Sequence, residues 1–258
     1  MIVPRDASTV IVTRDTDAGI EVYLLRRSSN SPGFPDAYVF PGGTLDKTDY
    51  SPQARMRMVG QWRPAEPAFT YAAIRETFEE SGILLARPRG SNVLVDAKRA
   101  SEIEAASRAA LCDGKTTFLS VLADSGMVLA LDELVPYAHW ITPEGMPKRF
   151  DTWFFLAAAP PEQAGAHDGK ESTDSIWVSP REALAGGESG RFKLPFPTTR
   201  NLIRLGKQGN VKAALADSQG KEVVTVMPVM TKLNGGRQLR IPLEAGYDGE
   251  VFEVGALG

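Results

Sequence analysis

Residues 75–82 read Arg-Glu-Thr-Phe-Glu-Glu-Ser-Gly, with Phe40-Pro41-Gly42-Gly43 upstream of them. At about 100° per residue, a helix through this segment projects Glu76, Glu79 and Glu80 within about 100° of arc, and Tyr71, Ile74 and Phe78 from the opposite side. The helix therefore has an apolar back that needs a layer to lie on and a front made of carboxylates. Like charges three and four residues apart cost roughly 0.2–0.5 kcal/mol per pair, and Ile83 and Leu84 stand where a compensating Lys or Arg would follow Glu79 and Glu80. A bound cation removes that cost. Clustered carboxylates are the hard oxygen ligands that suit Mg²⁺ or Mn²⁺, ions that keep several waters and bridge to phosphates. By itself the triplet also describes an ordinary solvated acidic face; the upstream glycines argue for a site.

Pro41-Gly42-Gly43 followed by Ala72-Ala73-x-Arg75-Glu76-x-x-Glu79-Glu80-x-Gly82-Ile83 resembles the box of the Nudix hydrolase superfamily, G-x5-E-x7-R-E-U-x-E-E-x-G-U with U a bulky aliphatic residue. Two departures are plain. Gly43 and Arg75 lie 32 residues apart where the pattern has 14, so an insertion of 18 splits the box, and Thr77 occupies the first U position. The early glutamate of the pattern should fall eight residues before Arg75, where Pro67 stands; Glu66, Asp46 and Asp49 are candidates, and none is assigned. Leu24-Leu25-Arg26-Arg27-Ser28, Pro32-Gly33, Tyr38-Val39-Phe40, Arg149-Phe150-Asp151-Thr152-x-Phe154-Phe155 and Trp177-Val178-Ser179-Pro180-Arg181-Glu182-Ala183-Leu184 extend the likeness over roughly residues 7–205. Together with the split box they resemble the subfamily that includes the mammalian peroxisomal and mitochondrial coenzyme A diphosphatases.

The resemblance implies an α/β fold of the Nudix type, an α/β/α sandwich with a mixed sheet, here with an insertion in the box and extra helices. It implies hydrolysis of a diphosphate bond in a nucleoside diphosphate-linked substrate, with coenzyme A or acyl-coenzyme A favoured. ADP-ribose or dinucleotide pyrophosphatase activity is the runner-up. A non-catalytic ligand sensor on the same fold is disfavoured, because a sensor has no need of the costly carboxylate cluster. A Nudix-fold isomerase of isoprenoid diphosphates is a distant third, since no catalytic cysteine context surrounds Cys112. Glu79 and Glu80 are the first-choice metal ligands; Glu76, one turn earlier, can bind metal, hold a ligand or orient a water. Arg75 can pair with a carboxylate through two nitrogens and fix its rotamer. The resemblance also makes the Gly43 region a backbone metal ligand, and asks for a base or ligand from a later loop. Glu171 is the choice there, with Asp174 and Asp168 behind it and His167 near. Arg26, Arg27 and Arg149 are the candidates to meet substrate phosphates, and Trp62, inside the insertion, to stack on a base.

Composition is consistent with this picture. A chain of 258 residues that is 43% hydrophobic can bury one good core, so residues 1–258 are expected to form a single domain, with the insertion at about 44–66 and a C-terminal helix and hairpin extension at about 198–258. A net charge of −3 argues against nucleic acid as a partner. The single cysteine excludes an intramolecular disulfide, and no apolar run reaches the ~18 residues of a membrane span. The expectation is a soluble, cytoplasmic protein, monomeric or a homodimer, taking a small nucleotide-type substrate and a Mg²⁺ or Mn²⁺ cofactor.

Alternating apolar residues predict a hairpin from 7–13 and 20–27 and strands at 38–40, 135–142, 152–158 and 174–179. Helices are expected at 69–81, 97–111, 117–125, 180–185 and 198–216, with a short one at 53–59. Asn234-Gly235-Gly236 signals a hairpin between 223–229 and 239–243.

Overall fold

A computed structural model describes residues 2–31, 33–60 and 67–255. In chain order the elements are β1 (Arg5–Thr16), β2 (Gly19–Arg27), β3 (Tyr38–Val39), β4 (Gly42–Thr44), α1 (Pro52–Arg55), β5 (Met58–Val59), α2 (Pro67–Ser81), β6 (Ala86–Pro88) and α3 (Ala97–Cys112). They continue with α4 (Phe118–Ser125), β7 (Met127–Ala130), β8 (Val135–Ile141), β9 (Phe150–Ala158), β10 (Ser172–Val178), α5 (Pro180–Glu188), α6 (Phe196–Leu205) and α7 (Val211–Ser218). The tail holds β11 (Thr225–Val226), β12 (Val229–Leu233), β13 (Gly236–Arg240) and β14 (Val251–Gly255).

The main sheet runs β10-β2-β1-β9-β8-β11, with β3 added on β2 and β4 on β1. It is mixed: β1 lies parallel to β9, and β11 to β8, while β2 pairs antiparallel with β1 and β10. Successive side chains of a strand point to opposite faces, and both faces here are covered. Val10, Val12, Tyr23, Leu25, Phe155 and Ala157 pack toward α2, α3 and α4. Ile11, Val22, Leu24, Phe154 and Leu156 pack toward α5, α6 and α7. The result is the α/β/α sandwich expected from the sequence.

Helix α2 is buried far beyond its apolar back. Tyr71, Ile74 and Phe78 are in the core as their spacing predicts, but within 68–81 every residue except Glu76 and Glu79 is buried. The carboxylate front therefore does not face open water: β4 and the turn at Lys47–Tyr50 pack over it. The Ser8 hydroxyl, on the α2 side of β1, donates to the Phe69 carbonyl at 2.7 Å and seats the start of the helix on the sheet.

The structure corrects several boundaries. The 198–216 helix is two helices, because Gly206 ends α6 and Asn210 caps α7 by accepting from the Ala213 amide at 2.8 Å. The short helix expected at 53–59 stops at Arg55, and Met58–Val59 instead joins β7 and β6 in a small sheet. The tail hairpin turns at Asn234-Gly235 as predicted, with Gly235 at φ +88°, but its strands flank that turn directly and β14 completes a three-stranded meander. Trp62 and Glu66 lie outside the described residues.

Candidate active site

Two elements build the site: α2 supplies Arg75, Glu76, Glu79 and Glu80, and β4 lays Gly42 and Gly43 beside them. The Gly42 amide donates to Glu80 Oε2 at 2.8 Å. β4 pairs with β1 so closely that a Cβ on Gly42 would fall 2.3 Å from the Ser8 carbonyl oxygen, and one on Gly43 would fall 2.5 Å from the Glu76 carboxyl carbon. Backbone and carboxylate meet there only because neither residue has a side chain.

Arg75 is the hub. Its Nε and Nη2 donate to the two oxygens of Asp49 at 3.0 and 2.9 Å, Nη2 also to the Thr44 carbonyl at 3.1 Å, and Nη1 to Glu76 at 2.8 Å and Glu79 at 3.3 Å. The Arg75 and Asp49 side chains are 7% and 0% exposed, so this two-toothed pair is fully desolvated. Asp49 is one of the three candidates left open for the early acidic position. It is held in turn by the Asp46 amide, which donates to its Oδ2 at 2.7 Å.

One guanidinium thus bonds three carboxylates, those of Asp49, Glu76 and Glu79, while Glu80, buried beside Glu76, is held by the Gly42 amide. Burial raises Glu76 to about 7, with Arg75 opposing the rise and Glu79 and Glu171 adding to it. Burial and then Glu76 hold Glu80 well above the ordinary carboxylate range, against the pull of the Gly42 amide and Arg27. Burial likewise raises Glu79, Arg75 opposing. Excess desolvated negative charge on hard oxygen donors is the chemistry that a divalent cation satisfies. Among the described residues no three His, Cys, Asp or Glu groups already surround one point.

A pH prediction follows. A carboxylate raised in the folded state contributes stability below its unfolded value, near 4.5, and loses it as pH climbs through the folded value, about 7 for Glu76. In EDTA, the melting temperature should fall between pH 5.5 and 8; with Mn²⁺ present, which favours the ionised cluster, the fall should flatten or reverse. A metal-free melting temperature that rises across this window would contradict the reading.

The other sequence-selected residues separate clearly. Arg27 follows Tyr23 and Leu25 on the α2 side of β2, donates to the Ser31 hydroxyl at 2.9 and 2.7 Å, and its charge acts on Glu80. Arg26 follows Leu24 onto the opposite face, where it bonds Asp36 at 2.8 Å. Arg149 is not brought to the carboxylates. It is buried, and its guanidinium donates to the Thr142 and Ile2 carbonyls at 3.0 and 2.9 Å, tying the β8–β9 turn to the chain's start.

Glu171 stands on an exposed loop, and its charge reaches both Glu76 and Glu80. Its rivals are occupied: Asp168 accepts the amides of Glu171 and Ser172 at 3.0 and 2.9 Å, and Asp174 accepts from the Tyr38 hydroxyl at 3.3 Å. His167 leans on Ser175 at 3.4 Å. One residue that the sequence did not single out also touches the site: Arg108 of α3 donates to the Glu79 carbonyl at 2.9 Å. It sits in an Ala- and Glu-rich helix with no motif around it.

Comparison with known proteins agrees with this architecture. The family model described as the NUDT19 Nudix domain matches residues 53–205. The chain is 30% identical over 226 residues to the acyl-coenzyme A diphosphatase NUDT19 of Xenopus laevis, covering 72% of this chain and 59% of that protein. It is 29% identical over 228 residues to the putative nudix hydrolase 7 of Caenorhabditis elegans, covering 85% and 69%. A crystal structure of a NUDIX hydrolase from Alicyclobacillus acidocaldarius superposes with a TM-score of 0.70 at 29% identity, over 84% of this chain and 97% of that one. The chain thus spans about three fifths of the length of the Xenopus relative.

Proposed function

Since this chain belongs to the NUDT19 Nudix domain family, we propose that it is a metal-dependent hydrolase of a diphosphate bond in a nucleoside diphosphate-linked substrate, with coenzyme A or acyl-coenzyme A favoured. The observation that carries this reading is the carboxylate cluster of Glu76 and Glu79 on Arg75 with Glu80 on the Gly42 amide, packed against the backbone at Gly42 and Gly43. The residues that would hold Mg²⁺ or Mn²⁺ are drawn from Glu76, Glu79, Glu80 and the Gly43 carbonyl, and the ion would supply charge neutralisation and a more acidic bound water. Arg75 keeps Glu76 and Glu79 in their rotamers through Nη1. Glu171 takes the proton of the attacking water, whose oxygen bonds to phosphorus as the bridging P–O bond breaks. From coenzyme A the products are 4′-phosphopantetheine, or its acyl form, and adenosine 3′,5′-bisphosphate. Residues 1–258 act as one Nudix unit in the cytoplasm, as a monomer or homodimer; no helix among the described residues is long and apolar enough to cross a membrane.

Product analysis with Mg²⁺ or Mn²⁺ and a panel of coenzyme A, its esters, ADP-ribose and dinucleotides tests the substrate. AMP and ribose 5-phosphate from ADP-ribose, with coenzyme A intact, would move the assignment to the runner-up. The sheet's alternation sharpens the test. Arg27→Ala should raise KM about tenfold for coenzyme A and dephospho-coenzyme A alike, because this cation lies on the α2 side of the sheet and its charge acts on Glu80. Arg26→Ala, on the far face and bonded to Asp36, should leave both KM values unchanged.

A further inference from the structure

Arg108 reaches three elements with three nitrogens. Nη1 pairs with Glu104 on its own helix at 2.7 Å, Nε donates to the Glu79 carbonyl at 2.9 Å, and Nη2 donates to the Ala166 carbonyl at 2.7 Å. The residue is 8% exposed. The last turn of a helix leaves carbonyls without intrahelical partners, and a guanidinium there also complements the negative end of the helix. Satisfying Glu79 would require only one donor. The second arm goes instead to the loop that carries Glu171.

That loop is tied to the end of α2 at further points. The Ala166 amide donates to the Ser81 carbonyl at 2.8 Å. Gln163, itself buried, accepts the Leu84 amide at 2.9 Å and donates to the Val95 carbonyl at 3.1 Å. From Ala166 the chain runs two residues to Asp168, whose carboxylate fixes the Glu171 amide, and Lys170 pairs with Asp113 just past the end of α3. Arg108 is the only described side chain that bonds both a backbone carbonyl of the carboxylate turn and the loop.

We propose that Arg108 is a positioning residue that sets the distance between the carboxylates of α2 and Glu171. This rests on the function proposed above, in which Glu171 takes the proton of the attacking water. Misplacing a reacting group by about 1 Å can cost on the order of a hundredfold in rate, so a clamp of this kind acts on kcat rather than on KM.

The test is a double-mutant cycle of Arg108→Lys and Glu171→Gln. Lysine keeps the charge but is a point donor that cannot span two carbonyls in a fixed fork. Arg108→Lys should lower kcat for coenzyme A roughly tenfold with KM within twofold of wild type, and should speed amide exchange over residues 164–172. In the Glu171→Gln background the same change should lower kcat no further, because the group it positions is gone. Wild-type kcat in Arg108→Lys, or an equal loss in both backgrounds, would overturn the proposal. Wild-type kcat in Glu171→Gln alone would instead remove the role given to Glu171, whatever Arg108 does. If Arg108→Lys does not fold, Glu104→Ala, which removes the acceptor of Nη1 and frees the guanidinium from its anchor, takes its place in the cycle with the same expected outcomes.

Discussion

Glu80→Gln is expected to lower turnover by roughly a thousandfold, about 4 kcal/mol of transition-state stabilisation, while leaving the metal-free protein at least as heat-stable as wild type. The amide oxygen of glutamine can still accept from Gly42, so the geometry of the 2.8 Å bond survives. What disappears is a carboxyl that is buried beside Glu76 and resists ionisation there, and its removal relieves the apo site of the cost of ionising it. The two signs together are diagnostic: an ordinary structural carboxylate would lose stability and keep the chemistry. Melting curves in EDTA and kcat in saturating Mn²⁺ measure both. Full turnover in Glu80→Gln, or in wild type with EDTA, would end the assignment of a metal site here.

Asp49→Ala should act in the opposite sense, on stability first. It strips Arg75 of its two-toothed partner while leaving the guanidinium buried, and removing one member of a buried pair typically costs about 3–5 kcal/mol. For a chain of this size that is a fall in melting temperature on the order of 10 °C. Activity should fall too, since Arg75 would no longer be anchored while it orients Glu76 and Glu79. A melting temperature within 2 °C of wild type would show that the pair is not what holds the turn against α2.

The sequence made some parts of this molecule readable and hid others for physical reasons. Helix α2, its buried Tyr71, Ile74 and Phe78, and the first hairpin follow from periodicity, which is local. Arg26 and Arg27 read as equal candidates by charge alone, although strand alternation sends them to opposite faces and separates them. Arg149 reads in the sequence as a cation able to meet a phosphate, but its partners are 7 and 147 residues away along the chain, and no local pattern announces that. Arg108 bonds Glu79 and Ala166 across 29 and 58 residues, again beyond any motif. Gly206 and Gly209 marked the break between α6 and α7, yet the apolar period on either side masked it.

The Arg75–Asp49 pair also bears on how the box tolerates being split. It joins residues 26 apart in sequence, where the unsplit pattern would join residues eight apart. Loop-closure entropy grows only with the logarithm of length, so closing the longer loop costs about 1 kcal/mol more than closing the shorter one. Removing one partner of the desolvated pair at the neck costs more than that difference, about 3–5 kcal/mol. The split thus costs the site little in chain entropy, and the described part of the insertion has its own anchors, with Ala54 buried in the core and Met58–Val59 paired with β7, so it is held in the fold without leaning on the carboxylates of α2.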